Sequence, residues 1–275
     1  MTPPALPSLS ERSSFDSMLP NSSKLLYSID LILHLSRRNF LLRYRGSLLG
    51  VLWSLLVPFS QLLVLVFVFG KVLPLQIEGY PAFVFTALLP WNWFSYCLSS
   101  AGALFIGNRD LMRIPTFDPM ILVVVDVLVN LTLFILFLPI LLLILLLYDR
   151  PFTPVIVTLP VILSIQAMLV IGFSLIVATC NVFYRDVQYI VSVGLMLLFY
   201  LTPVFYAVKN LDHSYQWMFY LNPMAVLIDS YRSILYWGYP PPWIHLAAVG
   251  AVSLLLLWAA QRFYRKRLPD MIDLL

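Results

Sequence analysis

The residues able to do chemistry in this 275-residue chain are few, and their spacing argues against most of it. Gly70 and Lys71 form a Gly-Lys pair, but a phosphate-cradling G-x-x-x-x-G-K-[ST] loop would need a glycine at Leu65 and a hydroxyl at Val72. His34, His213 and His245 are dispersed, without the short spacings that bring ligands to one metal ion, so each reads as an interfacial residue. Cys97 and Cys180 fall in separate apolar runs at different depths, which argues against a disulfide. Asp126 and Asn130 are four apart and so share one helical face inside an apolar run. A carboxylate at the centre of a membrane helix costs about 2.5–3.5 kcal/mol on insertion scales, so Asp126 should face protein or water. It either pairs with a neighbouring helix or the headgroups, or handles a proton or substrate. No nucleophile, base and acid can be argued from spacing, and the chain is expected to be non-catalytic, with no metal and no cofactor of its own.

The elements that must position these residues are membrane helices. The sequence is 61% hydrophobic and 11% charged, far from the soluble mix of about half apolar and a quarter charged. The net charge of +4 lies beside apolar runs and forms no stripe for nucleic acid, so anionic lipid headgroups account for it better. From Gly46 to Gly70 there is no charged side chain, and at 1.5 Å per residue a helix of that length crosses a hydrocarbon core of about 30 Å. Similar runs place spans at about 47–70, 81–108, 121–148, 155–184, 187–208 and 243–261, giving one all-α integral membrane domain over 46–268. Residues 1–23, polar and rich in Pro and Ser, read as a disordered cytoplasmic lead, and 269–275 as a cytoplasmic tail.

Three further segments do not span. Over 24–45, Leu25, Ile29, Ile32, Leu33 and Phe40 share a face while Asp30, Arg37 and Arg38 interrupt it. This is the pattern of an amphipathic helix at the membrane surface or against other protein. RDLMRIPTFDPM, 109–120, is too polar for lipid and too long for a tight turn, and suits a short helix presented to a soluble partner. Residues 209–242 are too polar to span and too aromatic for a free loop. Two half-helices re-entering the outer leaflet and meeting near Asn222 and Pro223 fit, because non-helical backbone at membrane depth needs protein or water beside it. Trp91 and Trp93, near the Pro90 break, either anchor at an interface or line a path. Arg12, Lys24, Arg37, Arg38, Arg43, Arg45, Arg109, Arg113, Arg185, Arg262, Arg265, Lys266 and Arg267 fall inside if both termini are cytoplasmic, leaving Lys71, Arg150, Lys209 and Arg232 outside. That asymmetry favours six spans in this orientation.

RYRGSLLGVLWSLLVPFSQLLVLVFVFG at 43–70, FYRDV at 183–187 followed by FYLTPVFY at 199–206, and LNPMAVLIDSYRSIL at 221–235 together resemble the permease subunit of type-2 ABC exporters for polysaccharides and polyol phosphates. That family exports O-antigen, capsule and teichoic acid precursors, and the resemblance runs from about Arg37 to Arg267. It implies the type-2 ABC exporter transmembrane fold in a bacterial plasma (inner) membrane. The interface helix, with Arg37 and Arg38, and the coupling helix, with Arg109, Asp110 and Arg113, would contact a separate ATPase that carries ATP and magnesium. Arg43, Arg45, Arg185 and Asp186 form the inner-face motif, and the re-entrant pair at about 209–240 becomes an outer gate. Two copies of the chain over two ATPase subunits would enclose one channel for a lipid-linked glycan, whose sugars slide on Trp91, Trp93, Tyr206, Trp217, Tyr220 and Tyr231. The rival readings are a permease for drugs or small lipids, a membrane-embedded glycan acyl- or glycosyltransferase, and a stand-alone secondary transporter, the last disfavoured because the chain shows no internal repeat.

Overall fold

The computed structural model describes residues 21–47, 49–114, 117–208, 217 and 219–274, the side chains of 21–28 excepted. The expected lead lies outside the described residues as far as residue 20, and helix begins at Asn21. Nine α-helices are described: α1 Asn21–Tyr44, α2 Leu52–Phe67, α3 Tyr80–Gly107, α4 Arg109–Met112, α5 Met120–Leu147, α6 Leu159–Phe183, α7 Val187–Leu201, α8 Pro223–Arg232 and α9 Trp243–Leu274. Wider π-helical turns extend α2 through Val72 and α8 through Trp237, and a 3-10 turn, Pro154–Thr158, leads into α6. No strand occurs among the described residues.

The centre of the bundle is α3. It is apolar all round over its first half, and such a helix is stable only when surrounded. Every residue from Ala82 to Phe94 is buried, with α2, α5, α6, α7 and α8 packed about it. Because lipid tails are as apolar as leucine, close packing and internal hydrogen bonds hold such helices together, and small residues allow that closeness. At the α6–α9 contact a methyl group on Gly172 would lie 3.1 Å from Leu256 Cγ and 3.3 Å from the Leu257 amide nitrogen. The hydroxyls of Thr86, Thr179, Ser230 and Ser253 donate to carbonyls one turn back, which satisfies them without water.

Among the described residues, four helices are long and apolar enough to cross a membrane: Leu52–Val72, Met120–Leu147, Pro154–Phe183 and Trp243–Leu274. The two remaining expected spans differ from these. α3 has the length, but Asn92, Ser95, Ser99 and Ser100 dilute its apolar run. α7 stops at Leu201, although 187–208 was expected to be one helix. The reason is local: Pro203 drives the residue before it out of the α region, and Thr202 is extended at φ −98°, ψ 135°. At the other end of the chain, α9 runs on through the arginine cluster to Leu274, so most of the expected tail continues the last helix. Cys97 and Cys180 are both free thiols.

Two apolar clusters result. The larger surrounds α3, and a smaller one at the other end joins Phe105, Met112, Leu122, Leu175, Ala260, Tyr264 and Met271. The turn after α8 rests on one glycine. Gly238 has φ +72°, and a β-carbon there would stand 2.9 Å from Pro151 Cγ and 3.0 Å from Thr153 Cγ2. Gly238→Ala should therefore cost about 1–2 kcal/mol for the left-handed backbone, with contact strain in addition. Thermal unfolding of the detergent-solubilised variant should show a lowered midpoint. Gly107→Ala, whose methyl would meet nothing within 4 Å, should leave it unchanged.

Candidate functional site

Two polar constellations stand out, one at each end of the bundle. At the end where the chain enters, α1 packs on α5 and Phe40 and Tyr44 lie against the core, while Ile29, Leu33 and Leu41 stay exposed. Arg43, in the last turn of α1, donates from Nη1 to Asn130 Oδ1 at 3.0 Å, and its Nη2 lies 3.8 Å from Asp126 Oδ1. Asp126 Oδ2 accepts from Ser100 at 2.7 Å and from Asn130 Nδ2 at 3.3 Å. The intramembrane carboxylate is thus paired across helices, and its one-turn relation to Asn130 is realised as a hydrogen bond. Tyr44 and Ser54 share a hydrogen bond that ties α1 to the start of α2.

At the same end, α4 leaves Arg109, Asp110 and Arg113 exposed while Met112 is buried in the smaller cluster. The polar connection that follows is fastened to α9, because Tyr264 donates to Asp118 Oδ1 at 3.0 Å. Arg37, Arg38 and Arg45 are exposed and line a cavity of about 690 Å³ along α1. Arg185 and Asp186 are exposed in the turn between α6 and α7. Beside that turn Asn181 accepts from the Gln188 backbone at 3.2 Å and donates to Gly102 O at 2.8 Å, fixing the α6–α7 corner to α3.

The opposite end is built around Arg232, 4% exposed. The chain bends at Thr202–Pro203 and leaves carbonyls with no helical partner, and a buried carbonyl needs a donor. Arg232 Nη1 and Nη2 donate to Pro203 O and Val204 O, both at 2.6 Å, while its guanidinium carbon lies 3.5 Å from the centre of the Phe83 ring. Tyr80 donates to Phe205 O at 2.8 Å. Asn222 caps α8 by accepting from Met224 N at 3.0 Å and donates to Thr202 Oγ1 at 2.9 Å, so the expected Asn222–Pro223 break is where α8 starts. The first half of the expected re-entrant pair falls largely on 209–216 and 218, outside the described residues.

The six expected channel aromatics separate by burial. Trp217 and Tyr220 are exposed, and Tyr220 stacks on His245 at 4.7 Å. Tyr206 is half-buried and packs edge-on against Phe205 and Phe219. Trp91 is buried against Phe199 but lines a cavity of about 480 Å³ with Ser60, Gln61 and Tyr96. Trp93 and Tyr231, by contrast, belong to the core. Trp93 Nε1 donates to Val127 O at 3.2 Å, and Tyr231 donates to Gln166 Oε1 at 2.8 Å, Gln166 donating in turn to Pro90 O at 2.8 Å. Their burial removes both from the rings a passing molecule could touch. Among the described residues no three His, Cys, Asp or Glu side chains are grouped for a metal ion. The arrangement is a packed bundle with an anchored polar protrusion at one end and a fastened cap at the other.

Residues 30–236 match the family model described as ABC-2 type transporter. The O-antigen export system permease protein RfbA of Myxococcus xanthus is 37% identical over 245 residues, 88% of this chain and 94% of the relative. The protein of the same name from Klebsiella pneumoniae is 31% identical over 209 residues, 76% and 81% of the two chains. The polysialic acid transport protein KpsM of Escherichia coli is 21% identical over 235 residues, 84% and 90% of the two.

Proposed function

The chain belongs to the ABC-2 type transporter family, and from that premise we propose that it is the membrane permease of an ATP-driven exporter of a lipid-linked cell-surface polysaccharide. The observation that carries this reading is the 37% identity to an O-antigen export permease across 94% of that relative's length. The weaker likeness to a polysialic acid transport protein extends it from one polymer to the polysaccharide class.

The finer reading is as follows. The chain crosses the plasma membrane six times with both termini cytoplasmic, α3 and α7 completing the spans, and two copies enclose one channel above two ATPase subunits. The energy source is the partner's ATP and magnesium. α4 is a lever: Met112 in the smaller cluster and the Tyr264–Asp118 bond hold its base, and Arg109, Asp110 and Arg113 face the ATPase. Arg37 and Arg38 on α1 supply a second contact, while Arg185 and Asp186 mark the inner face. ATP binding closes the partner and shifts the spans between two arrangements by no more than its differential affinity for them. At the outer end α8 and the 202–206 bend form the gate, and the exposed rings of Trp217 and Tyr220 offer sugar faces apolar contact without fixed hydrogen bonds.

The test is deletion of the gene with plasmid complementation. Surface polysaccharide should be lost and lipid-linked glycan should accumulate inside the cell by mass spectrometry. Unchanged surface polymer with altered drug tolerance would instead favour a permease for drugs or small lipids, and synthesis of a chemically altered glycan would favour a transferase.

A further inference from the structure

A cavity of about 620 Å³ lies where the end of α1 and the start of α2 face α3 and α5. Its wall changes character along its length. Arg43, Ser47 and Ser99 supply a cation and hydroxyls, the rings of Tyr44 and Tyr96 follow, and Trp53, Val57 and Leu133 supply apolar surface. Trp53 and Val57 are more than half exposed, so the apolar part opens sideways, toward lipid in the six-span orientation.

We propose that this cavity holds the phosphate-bearing linker of a lipid-anchored glycan, with the phosphate on Arg43, the adjoining sugar against Tyr44 and Tyr96, and the lipid chain leaving past Trp53 and Val57. The inference rests on the reading of the chain as a polysaccharide permease and adds to it where the cargo's lipid end is held. Arg43 is oriented for this task. Asn130 fixes one of its nitrogens at 3.0 Å, and Asp126 stands at 3.8 Å with its other oxygen already taken by Ser100 and Asn130. A guanidinium has five N–H donors, and a planar fork so anchored still presents several to a phosphate oxygen. Its side chain is 36% exposed. Arg37, Arg38 and Arg45 line the adjoining cavity, which shares Tyr44, so the field around Asp126 remains net positive. Asp126 balances one of these cations; a neutral sugar alone would not call for the surplus supplied by Arg37, Arg38 and Arg45, and a bare hydrocarbon chain would call for neither that charge nor the hydroxyls.

Equilibrium binding of tritiated geranylgeranyl diphosphate to the purified full chain in phosphatidylcholine nanodiscs tests this. Wild type should bind, geranylgeraniol and inorganic pyrophosphate should fail to compete at equal concentration, and Arg43→Gln should raise Kd at least tenfold. Arg43→Lys should fall between the two. Because Arg43→Gln also breaks the pair with Asp126, Val57→Trp supplies the second arm: it fills the cavity without touching the pair, and should weaken binding by a similar factor with the unfolding midpoint unchanged. Undiminished binding in both variants overturns the site. Equal competition by phosphatidylglycerol assigns the cavity to ordinary anionic lipid and overturns the cargo assignment, and equal competition by pyrophosphate removes the lipid from the recognition. No ATPase and no export enter this assay, so its failure leaves the permease reading standing, while a deletion strain with normal surface polymer would overturn that reading alone.

Discussion

Arg113→Glu should reduce surface polysaccharide at least a hundredfold while the protein remains inserted and folded. The side chain is exposed at the end of α4, next to the buried Met112 that anchors the helix. Reversing its charge therefore disturbs no core packing, and an exposed interaction lost with the arginine typically costs no more than about 1 kcal/mol. In the proposed reading, what it alters is the contact with the ATPase. A like-charge pair created in an interface costs several kcal/mol, and since every 1.4 kcal/mol is tenfold in an equilibrium, about 3 kcal/mol is enough for the loss. Membrane fractionation should recover the variant at wild-type amounts, and immunoblotting of surface glycan gives the export readout. Partial recovery with a reciprocal charge change in the ATPase would locate the contact. Normal surface glycan in Arg113→Glu would remove α4 from the coupling path.

The residues that were legible in the sequence share a property: their role depends on neighbours close by in the chain. Asp126 and Asn130 are one turn apart, so their hydrogen bond follows from helical period alone. Asn222 followed by Pro223 is a helix start by side-chain chemistry, an amide that caps and a ring with no N–H to lose, and α8 begins there. The charge-free runs likewise mark the apolar helices, because a charge in lipid is costly wherever it sits.

What stayed hidden depends on partners far along the chain. Nothing in RYRG says that Arg43 meets a carboxylate at position 126, since that requires α1 to fold back over α5. The aromatics show the same limit. Trp93 and Trp217 have the same side chain and both were candidates for the channel wall, yet one is walled in by α5 and the other lies 60% exposed. Pro203 signals that α7 must stop, but the apolar run that continues past it masks the signal. That break is also what made Arg232 invisible, because counting it as an outer charge presumes water around it.

Arg232→Met should destabilise the fold by an amount on the order of 3–5 kcal/mol, the usual cost of removing one partner from a buried charged network. Two opposing effects set the size. Burying a guanidinium is itself expensive, so methionine, similar in length and free of charge, relieves a desolvation penalty. Against this, the carbonyls of Pro203, Val204 and Tyr206 lose their donor together, at about 1–3 kcal/mol for each left without one. The ring of Phe83 also loses the cation above it, a contact that contributes about 2 kcal/mol when desolvated. Water could reach the Pro203 and Val204 carbonyls only by opening the cap, since both residues are buried. The carbonyl losses therefore outweigh the relief. Arg232→Lys should lie between the two, keeping the charge and some donors but not the planar fork that reaches two carbonyls at once. Thermal unfolding in detergent should rank wild type above Lys and Lys above Met. An unfolding midpoint for Arg232→Met equal to wild type would mean that the bend at Thr202–Pro203 holds itself, and that Arg232 is not what fastens the cap.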